Sequence, residues 1–207
     1  NDAMDFISET KDKPWFLGLS TYSPHDPLDA PEKFVAPFRG KVTDEEAKYL
    51  GMVANLDYNI GRLMAFLKKK KLDENTIVVL TGDHGYQLGE HGLWAKQTLF
   101  EGANHVPLLI AAPGVKPGAR SGLAEQVDIY PTLCDLAGLP KPKHLQGRSL
   151  KPMLDDPSAK GKQVAISTMI APHTKQTGHS LRTDAFRYIA WEGGEERLYD
   201  HRIDPDR

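Results

Sequence analysis

The sequence has little cysteine, no long apolar run and no excess of basic charge. Its one cysteine, Cys134, cannot form an intramolecular disulfide, so cysteine usage leaves the redox compartment open. No segment has the roughly 18 to 20 apolar residues that cross a bilayer, which predicts a protein without a membrane span. Lys and Arg total 26 against 28 Asp and Glu, a net charge of −2, which argues against nucleic-acid binding.

Several common catalytic motifs are also missing. There is no G-x-S-x-G elbow, no P-loop and no G-x-G-x-x-G, which excludes the usual serine-hydrolase and nucleotide-binding mechanisms. His84 and His91 are seven residues apart and form no H-E-x-x-H arrangement, so a zinc-protease helix is not supported. The chemistry must come from another arrangement.

What the sequence does contain is an ordinary globular composition, with 40% hydrophobic and 26% charged residues, enough for a sizeable core. The continuous β-branched run at 76–81 predicts a strand buried on both faces of a parallel sheet, and residues 106–112 predict a second. Residues 15–20 predict another buried strand, which leads into a proline-rich loop carrying His25. Strands alternating with helical segments indicate an α/β layer architecture.

Two helices stand out by their periodicity. Thr43 and Glu46 have the spacing of a capping box, and apolar residues at steps of three and four predict an amphipathic helix over about 44–70. A second helix is predicted over 125–139, with Cys134 inside it as a small core residue.

The last quarter of the chain has a different pattern. Short β-type runs at 163–169, 181–191 and 196–200 are joined by polar turns and predict a small antiparallel sheet. We therefore expect a main α/β portion at 1–155 and a small C-terminal antiparallel subdomain at 163–207.

The most informative stretch follows the strand at 76–81. Asp83 and His84 lie just beyond the end of that strand, where ligands collect in open α/β sheets, and they offer an oxygen and a nitrogen ligand to a divalent cation. Lys96 and His25 are candidates to bind an anionic group. The alternative interpretation is a structural turn with a hydrogen-bonded histidine, because two ligands do not make a metal site.

The chain as a whole resembles the sulfatase family of the alkaline phosphatase superfamily, with iduronate-2-sulfatase-like enzymes nearest. The resemblance implies an alkaline-phosphatase-like mixed sheet flanked by helices, followed by a small C-terminal antiparallel sheet. The motifs that carry it are Ser23–Pro27, Asn55–Leu63, Thr81–Glu101, His105–Ile110, Ala112–Gly114, Gln126–Leu133, Leu136–Gly138, Leu198–Asp200 and Asp204-Pro205.

The resemblance also implies roles for individual residues. Asp83 and His84 match two metal ligands of sulfatases. Lys96 matches the lysine that contacts the sulfate, and His25 matches the histidine that binds the sulfate or protonates the leaving oxygen. The neighbouring pair Glu90-His91 either borders the substrate or structures its loop.

Other parts of the sulfatase pattern are not in this chain. The C/S-x-P/A-x-R signature, whose first residue becomes formylglycine, is absent, as is the early aspartate pair on the metal; Cys134 lacks the signature's context. We therefore expect this chain to be the C-terminal portion of a longer sulfatase, with the nucleophile upstream. Calcium is the expected metal, with manganese or zinc open because His84 stands where many sulfatases have Asn.

The resulting hypothesis is hydrolysis of sulfate monoesters, with a sulfated small molecule or saccharide as substrate and the N-terminal part of the same protein as partner. Alternatives are a phosphate or phosphonate monoester hydrolase of the same superfamily, and a catalytically silent fragment or carbohydrate-binding half. The resemblance implies a periplasmic, secreted or lysosome-like location, although no signal sequence is visible in the chain.

Overall fold

The protein is described by a computed structural model over residues 2–203. The Asp204-Pro205 motif lies outside the described residues, as do the other terminal positions 1, 206 and 207. The chain divides into two compact units, the first ending at Thr76 and the second beginning at Ile77.

The first unit is helical. Its helices are α1 (Asp2–Thr10), α2 (Glu32–Val35) and α3 (Asp44–Lys69). The capping box that starts α3 is confirmed: the Thr43 hydroxyl accepts a hydrogen bond from the Glu46 amide at 3.2 Å, and the Glu46 carboxylate accepts from the Thr43 amide at 2.8 Å. The capping box thus satisfies the amides of Thr43 and Glu46 at the start of a 26-residue helix, whose position agrees with the prediction.

α2 packs closely against α3 at a glycine. A Cβ at Gly51 would lie 2.7 Å from a methyl group of Val35, so only glycine allows this approach of the two helices. Val35, Ala47 and Met52 are buried around the contact and form the core of this unit together with other apolar side chains.

The strand predicted at 15–20 is wrong for the described chain. These residues have no strand assignment, and the Phe16 side chain is 81% exposed. An apolar run becomes a strand only when another segment completes its ladder of hydrogen bonds, and no described segment pairs with this one. His25 follows on a loop, as predicted.

Up to residue 203, the second unit contains three small sheets and three short α-helices. Its elements in chain order are β1 (Val78–Thr81), β2 (Gln87–Leu88), β3 (Trp94–Ala95), α4 (Glu101–Asn104), β4 (Leu108–Ala111), α5 (Ile129–Leu136), α6 (Lys151–Asp155), β5 (Ala165–Ile170), β6 (Thr177–Arg182), β7 (Phe186–Trp191) and β8 (Glu196–Asp200).

β1 and β4 are the two strands predicted from apolar runs, but their pairing differs from the prediction. They are antiparallel, with Val78 opposite Ala111 and Thr81 opposite Leu108, whereas a parallel arrangement was expected. Three residues of β1 are only partly buried and Thr81 is exposed, so the apolar run does not reflect burial on both faces among the described residues. The end of β1 that leads to Asp83 therefore lies beside the start of β4.

The C-terminal antiparallel sheet is confirmed, with the strand order β5-β6-β7-β8. The single strand predicted at 181–191 is two strands, β6 and β7, which are joined by a turn at 183–185. The predicted helix near 125–139 is also present, as a 3-10 turn at Gln126–Asp128 followed by α5, and Cys134 is buried in it. The mixed α/β class with a small C-terminal sheet agrees with the prediction.

No described helix is both long enough and apolar enough to cross a membrane.

Candidate metal and anion site

Asp83 and His84 occupy the turn that follows β1. The His84 Nδ1 lies 2.7 Å from the Gly85 carbonyl oxygen, which can only accept, so Nδ1 carries the hydrogen. In the neutral imidazole, Nε2 is then the atom with the free lone pair. It lies 3.5 Å from Asp83 Oδ2. Two electron-pair donors therefore face each other at a spacing that ligands of one cation can adopt.

The chemistry of this donor pair fits a divalent cation. The Asp83 side chain is 89% exposed, so its carboxylate is accessible to an ion, and the backbone acceptor on Nδ1 orients the imidazole as in many metal-bound histidines. Among residues 2–203 there is no group of three or more His, Cys, Asp or Glu that could hold a metal. Asp83 and His84 as metal ligands therefore stay a prediction.

The turn is fixed to α4 by a glycine. The Gly85 amide donates to the Ala103 carbonyl at 2.8 Å, and a Cβ at Gly85 would lie 2.0 Å from the Gly102 carbonyl oxygen. No side chain fits there, so the turn after β1 can lie against α4 only with glycine at this position.

Lys96 directly follows the hairpin of β2 and β3. It is exposed, and its carbonyl accepts from the Thr98 amide at 2.8 Å. The preceding residue, Ala95, has a φ of +65°, a left-handed conformation that costs a non-glycine residue about 1–2 kcal/mol. Such strain is concentrated at functional positions, and here it sets the direction of the chain into Lys96.

His91 lies at the tip of the same hairpin, also with a positive φ of 58°. Its ring stacks on Phe100 with centroids 4.0 Å apart, and it meets Tyr199 of β8 edge to face at 6.2 Å. The Glu90 carboxylate accepts from the Leu88 amide at 2.6 Å. Both residues therefore order the loop, which supports the structural interpretation of Glu90-His91; the substrate role of His91 stays a prediction.

A groove of about 440 Å³ runs between this hairpin and the C-terminal sheet. Its walls combine aromatic faces with hydrogen-bonding groups, among them those of His91, Gln97, Phe100, Gln176, Trp191 and Arg197. The Arg197 guanidinium lies 5.8 Å from the Phe100 ring centroid and donates to Glu195 at 2.5 Å. Aromatic surfaces and planar polar groups of this kind suit a sugar ring with its hydroxyls.

His25 belongs to the first unit. Its Nδ1 lies 2.8 Å from the Asp26 carbonyl oxygen, so this nitrogen donates and Nε2 is the atom available to a ligand or a proton. The Tyr22 ring lies 5.5 Å from the imidazole, and the residue is exposed. Its predicted role toward sulfate stays a prediction, as do those of Lys96, Asp83 and His84.

Sequence reasoning missed two sets of residues around the site. Gln126 donates its side-chain amide to the carbonyls of Gly82 and Asp83, at 2.6 and 3.0 Å. Glu101 of α4 forms ion pairs with Arg182 and Arg187 of the C-terminal sheet. Both residues lie inside motifs that carry the family resemblance, but only the fold shows what they contact.

The chain belongs to the sulfatase family, because a family model described as "Sulfatase" matches residues 1–139 of the 207. A second model, "N-sulphoglucosamine sulphohydrolase, C-terminal", matches residues 89–207. The narrower assignment to iduronate-2-sulfatase-like enzymes stays a prediction.

Two curated relatives match over most of the chain. A protein named "Sulfatase" from Formosa agariphila is 30% identical over 246 residues, covering 100% of this chain and 48% of the relative. Arylsulfatase K from Rattus norvegicus is 33% identical over 209 residues, covering 93% of this chain and 37% of the relative. The chain thus spans less than half the length of these two relatives.

Solved structures share the fold. One protein, in complex with its substrate D-glucosamine-2-N,6-O-disulfate, is 36% identical with a TM-score of 0.72, covering 79% of this chain and 35% of that one. The phosphonate monoester hydrolase of Agrobacterium radiobacter is 25% identical with a TM-score of 0.79, covering 99% of this chain and 53% of that one. The predicted alkaline-phosphatase-like class is therefore confirmed.

Proposed function

We propose that the protein to which this chain belongs hydrolyses sulfate monoesters of sugars, with this chain supplying part of the metal and sulfate site. The observation that carries the proposal is the pair of acceptor atoms, Asp83 Oδ2 and His84 Nε2, which face each other 3.5 Å apart beyond β1. Membership of the sulfatase family supports the type of reaction.

In this proposal Asp83 and His84 would hold a divalent cation, calcium or alternatively manganese or zinc, together with ligands from the N-terminal part of the protein. When bound, the cation supplies positive charge to the sulfate oxygens. The Lys96 ammonium adds a second positive charge, and His25 Nε2 holds the proton that the leaving oxygen takes up. The formylglycine nucleophile would also come from upstream.

Exposed apolar residues support the N-terminal part of the same protein as the partner of this chain. Leu109, on the two-stranded sheet of β1 and β4, is 56% exposed, and a sheet of two strands is marginally stable alone. In the first unit, the apolar run at 15–20 has no strand partner among the described residues. A further segment that packs on β1 and β4, or that pairs with residues 15–20, would bury these exposed apolar side chains.

The substrate is proposed to be a sulfated saccharide, and within that class an iduronate 2-sulfate is the narrower candidate from the motif resemblance. The groove, which is lined in part by Gln97 and Thr98 directly after Lys96, supports a sugar ligand. The solved relative bound to D-glucosamine-2-N,6-O-disulfate supplies a second test compound. We propose a periplasmic, secreted or lysosome-like location for such an enzyme.

The test is sulfate release by the complete gene product, loaded with calcium or manganese, from these two sugar sulfates and an aryl sulfate. Lys96→Ala should lower kcat about 10²–10³-fold, because it removes the positive charge that stabilises the negative charge developing on the sulfate group. Lys160→Ala, an exposed lysine on another segment, is the matched control and should retain full activity. Unchanged turnover in Lys96→Ala would refute the proposal.

The second candidate is a phosphonate or phosphate monoester hydrolase, favoured by the likeness to the Agrobacterium radiobacter enzyme. Assaying a phosphonate monoester beside the sulfate esters separates the two, since the better substrate has the higher kcat/KM. The isolated chain, with two ligands, should bind calcium weakly. Tight binding to it in isothermal titration would contradict the division of the metal site between this chain and the N-terminal part.

A further inference from the structure

The turn that carries the proposed metal ligands has a polar anchor from a distant helix. The Gln126 side-chain amide donates two hydrogen bonds, to the Gly82 carbonyl at 2.6 Å and to the Asp83 carbonyl at 3.0 Å. One amide group thus bridges two consecutive peptide units, and it reaches across 43 and 44 residues of sequence. The bridge holds the two peptide units on either side of the Asp83 Cα, from which the Asp83 side chain projects.

The backbone turn that carries Gln126 is held in place by several contacts. Its neighbour Asp128 is fully buried, accepts from the Glu125 amide at 2.9 Å and from the Arg148 amide at 2.7 Å, and pairs with the Lys162 ammonium at 2.7 Å. The first turn before α5 is therefore held by its own capping contacts and by a buried ion pair. Because the backbone of this turn is already fixed, only the rotamer freedom of the Gln126 side chain is lost when it holds the loop in place.

We infer that Gln126 is a positioning residue for the metal site, which orients Asp83 and His84 through their backbone. Its amide contacts no proposed ligand atom, so it acts through the turn and is not a catalytic residue. The inference rests on the proposed metal-binding role of Asp83 and His84. Groups that orient metal ligands in this way typically contribute about 10–100-fold to metal affinity or activity.

The experiment compares variants of the complete gene product with Mn²⁺ as the probe, because its affinity is readable by titration and by electron paramagnetic resonance. Gln126→Met keeps the length of the side chain and removes its donor. Gln163→Met, at an exposed glutamine elsewhere in the second unit, is the matched control. We expect Gln126→Met to weaken Mn²⁺ binding about tenfold, and Gln163→Met to leave it unchanged.

Hydrogen exchange gives a second readout that needs no metal. In Gln126→Met the amides of residues 82–85 should exchange faster than in Gln163→Met, while the thermal midpoints of the two variants stay close. Equal exchange and equal Mn²⁺ affinity in both variants would overturn the inference. Asp83→Ala separates the two hypotheses. If it abolishes Mn²⁺ binding while Gln126→Met has no effect, only the inference fails; if it leaves Mn²⁺ binding unchanged, the proposed metal site fails and the inference with it.

Discussion

The guanidinium of Arg187 on β7 donates two hydrogen bonds to one carboxylate oxygen of Glu101 on α4, 86 residues away in sequence. Arg182 of β6 donates to the same oxygen at 3.2 Å, and the His105 Nδ1 lies 3.2 Å from the other. The Arg187 side chain is only 3% exposed. This cluster joins the segment that carries Lys96 and Phe100 to the C-terminal sheet.

Replacing Glu101 with Gln should strongly destabilise the protein. The substitution leaves the buried Arg187 charge without its partner, and breaking a buried ion pair from one side costs about 3–5 kcal/mol. The thermal midpoint of Glu101→Gln, compared with that of Glu195→Gln at an exposed ion pair, measures the effect. If the thermal midpoint falls by the same small amount in both variants, the cluster has no structural role.

The same cluster predicts how stability depends on pH. Burial alone would raise the pKa of Glu101, but hydrogen bonds from His105 and Arg187 outweigh it and hold the pKa at about 2, below the ordinary 4.5. The contribution of Glu101 is therefore present above about pH 4.5 and is lost as the pH falls toward 2. The midpoint of Glu101→Gln should approach that of the unmodified protein over this range.

The stabilisation by His105 depends on pH in the opposite direction. The hydrogen bond to Glu101 raises its pKa above the ordinary 6.5, so its contribution is complete below pH 6.5 and is lost as the pH rises through the raised value. His105→Ala should lower the thermal midpoint at pH 5.5 and have a smaller effect at pH 9. An equal effect at both pH values would show that the protonated imidazole does not stabilise the cluster.

Local signals account for what could be predicted from the sequence. α3 could be placed because its capping box and its apolar periodicity lie within one segment, and β1 because β-branched residues favour strands wherever they pair. The order of β1, Asp83 and His84 is likewise local. These elements need no knowledge of distant partners.

The rest depends on contacts between distant segments. The antiparallel pairing of β1 with β4 and the missing pairing at 15–20 are decided by which other strands are present. Most of β6 escaped prediction because its inward positions include Gly178 and Ser180, which do not give an apolar alternation. The buried Ser180 hydroxyl accepts from Arg187 at 2.6 Å. The bridges from Gln126 and Glu101 to their partners likewise span dozens of residues.

Gly85→Ala should disturb the turn that carries Asp83 and His84. Its new methyl group would overlap the Gly102 carbonyl oxygen, so the turn or α4 must move, at a cost of about 1–3 kcal/mol. Gly61→Ala is the control, since no atom lies within 4 Å of a Cβ in that interior helical position and alanine favours helix by up to about 1 kcal/mol. Thermal midpoints should shift in opposite directions, and Mn²⁺ affinity should fall only in Gly85→Ala.

The groove beside the hairpin predicts a difference between large and small substrates. Arg197→Ala and Gln176→Ala remove polar groups from its wall, and a hydrogen bond to a sugar hydroxyl or a second sulfate is worth about 0.5–3 kcal/mol. Each variant should therefore raise KM for a sulfated oligosaccharide about tenfold, with little change for an aryl sulfate, which is too small to occupy both the scissile site and the groove.

The control for this comparison is Arg202→Ala. Arg202 is an exposed arginine that pairs with Asp200 at 2.6 Å and does not line the groove, so its loss should change KM for neither substrate. A fall in kcat/KM of the same size for the aryl sulfate and the oligosaccharide would mean that Arg197 and Gln176 act on the reacting centre or on stability. In that case the groove does not bind the saccharide, because a contact with the sugar chain alone cannot change the turnover of a substrate that lacks it.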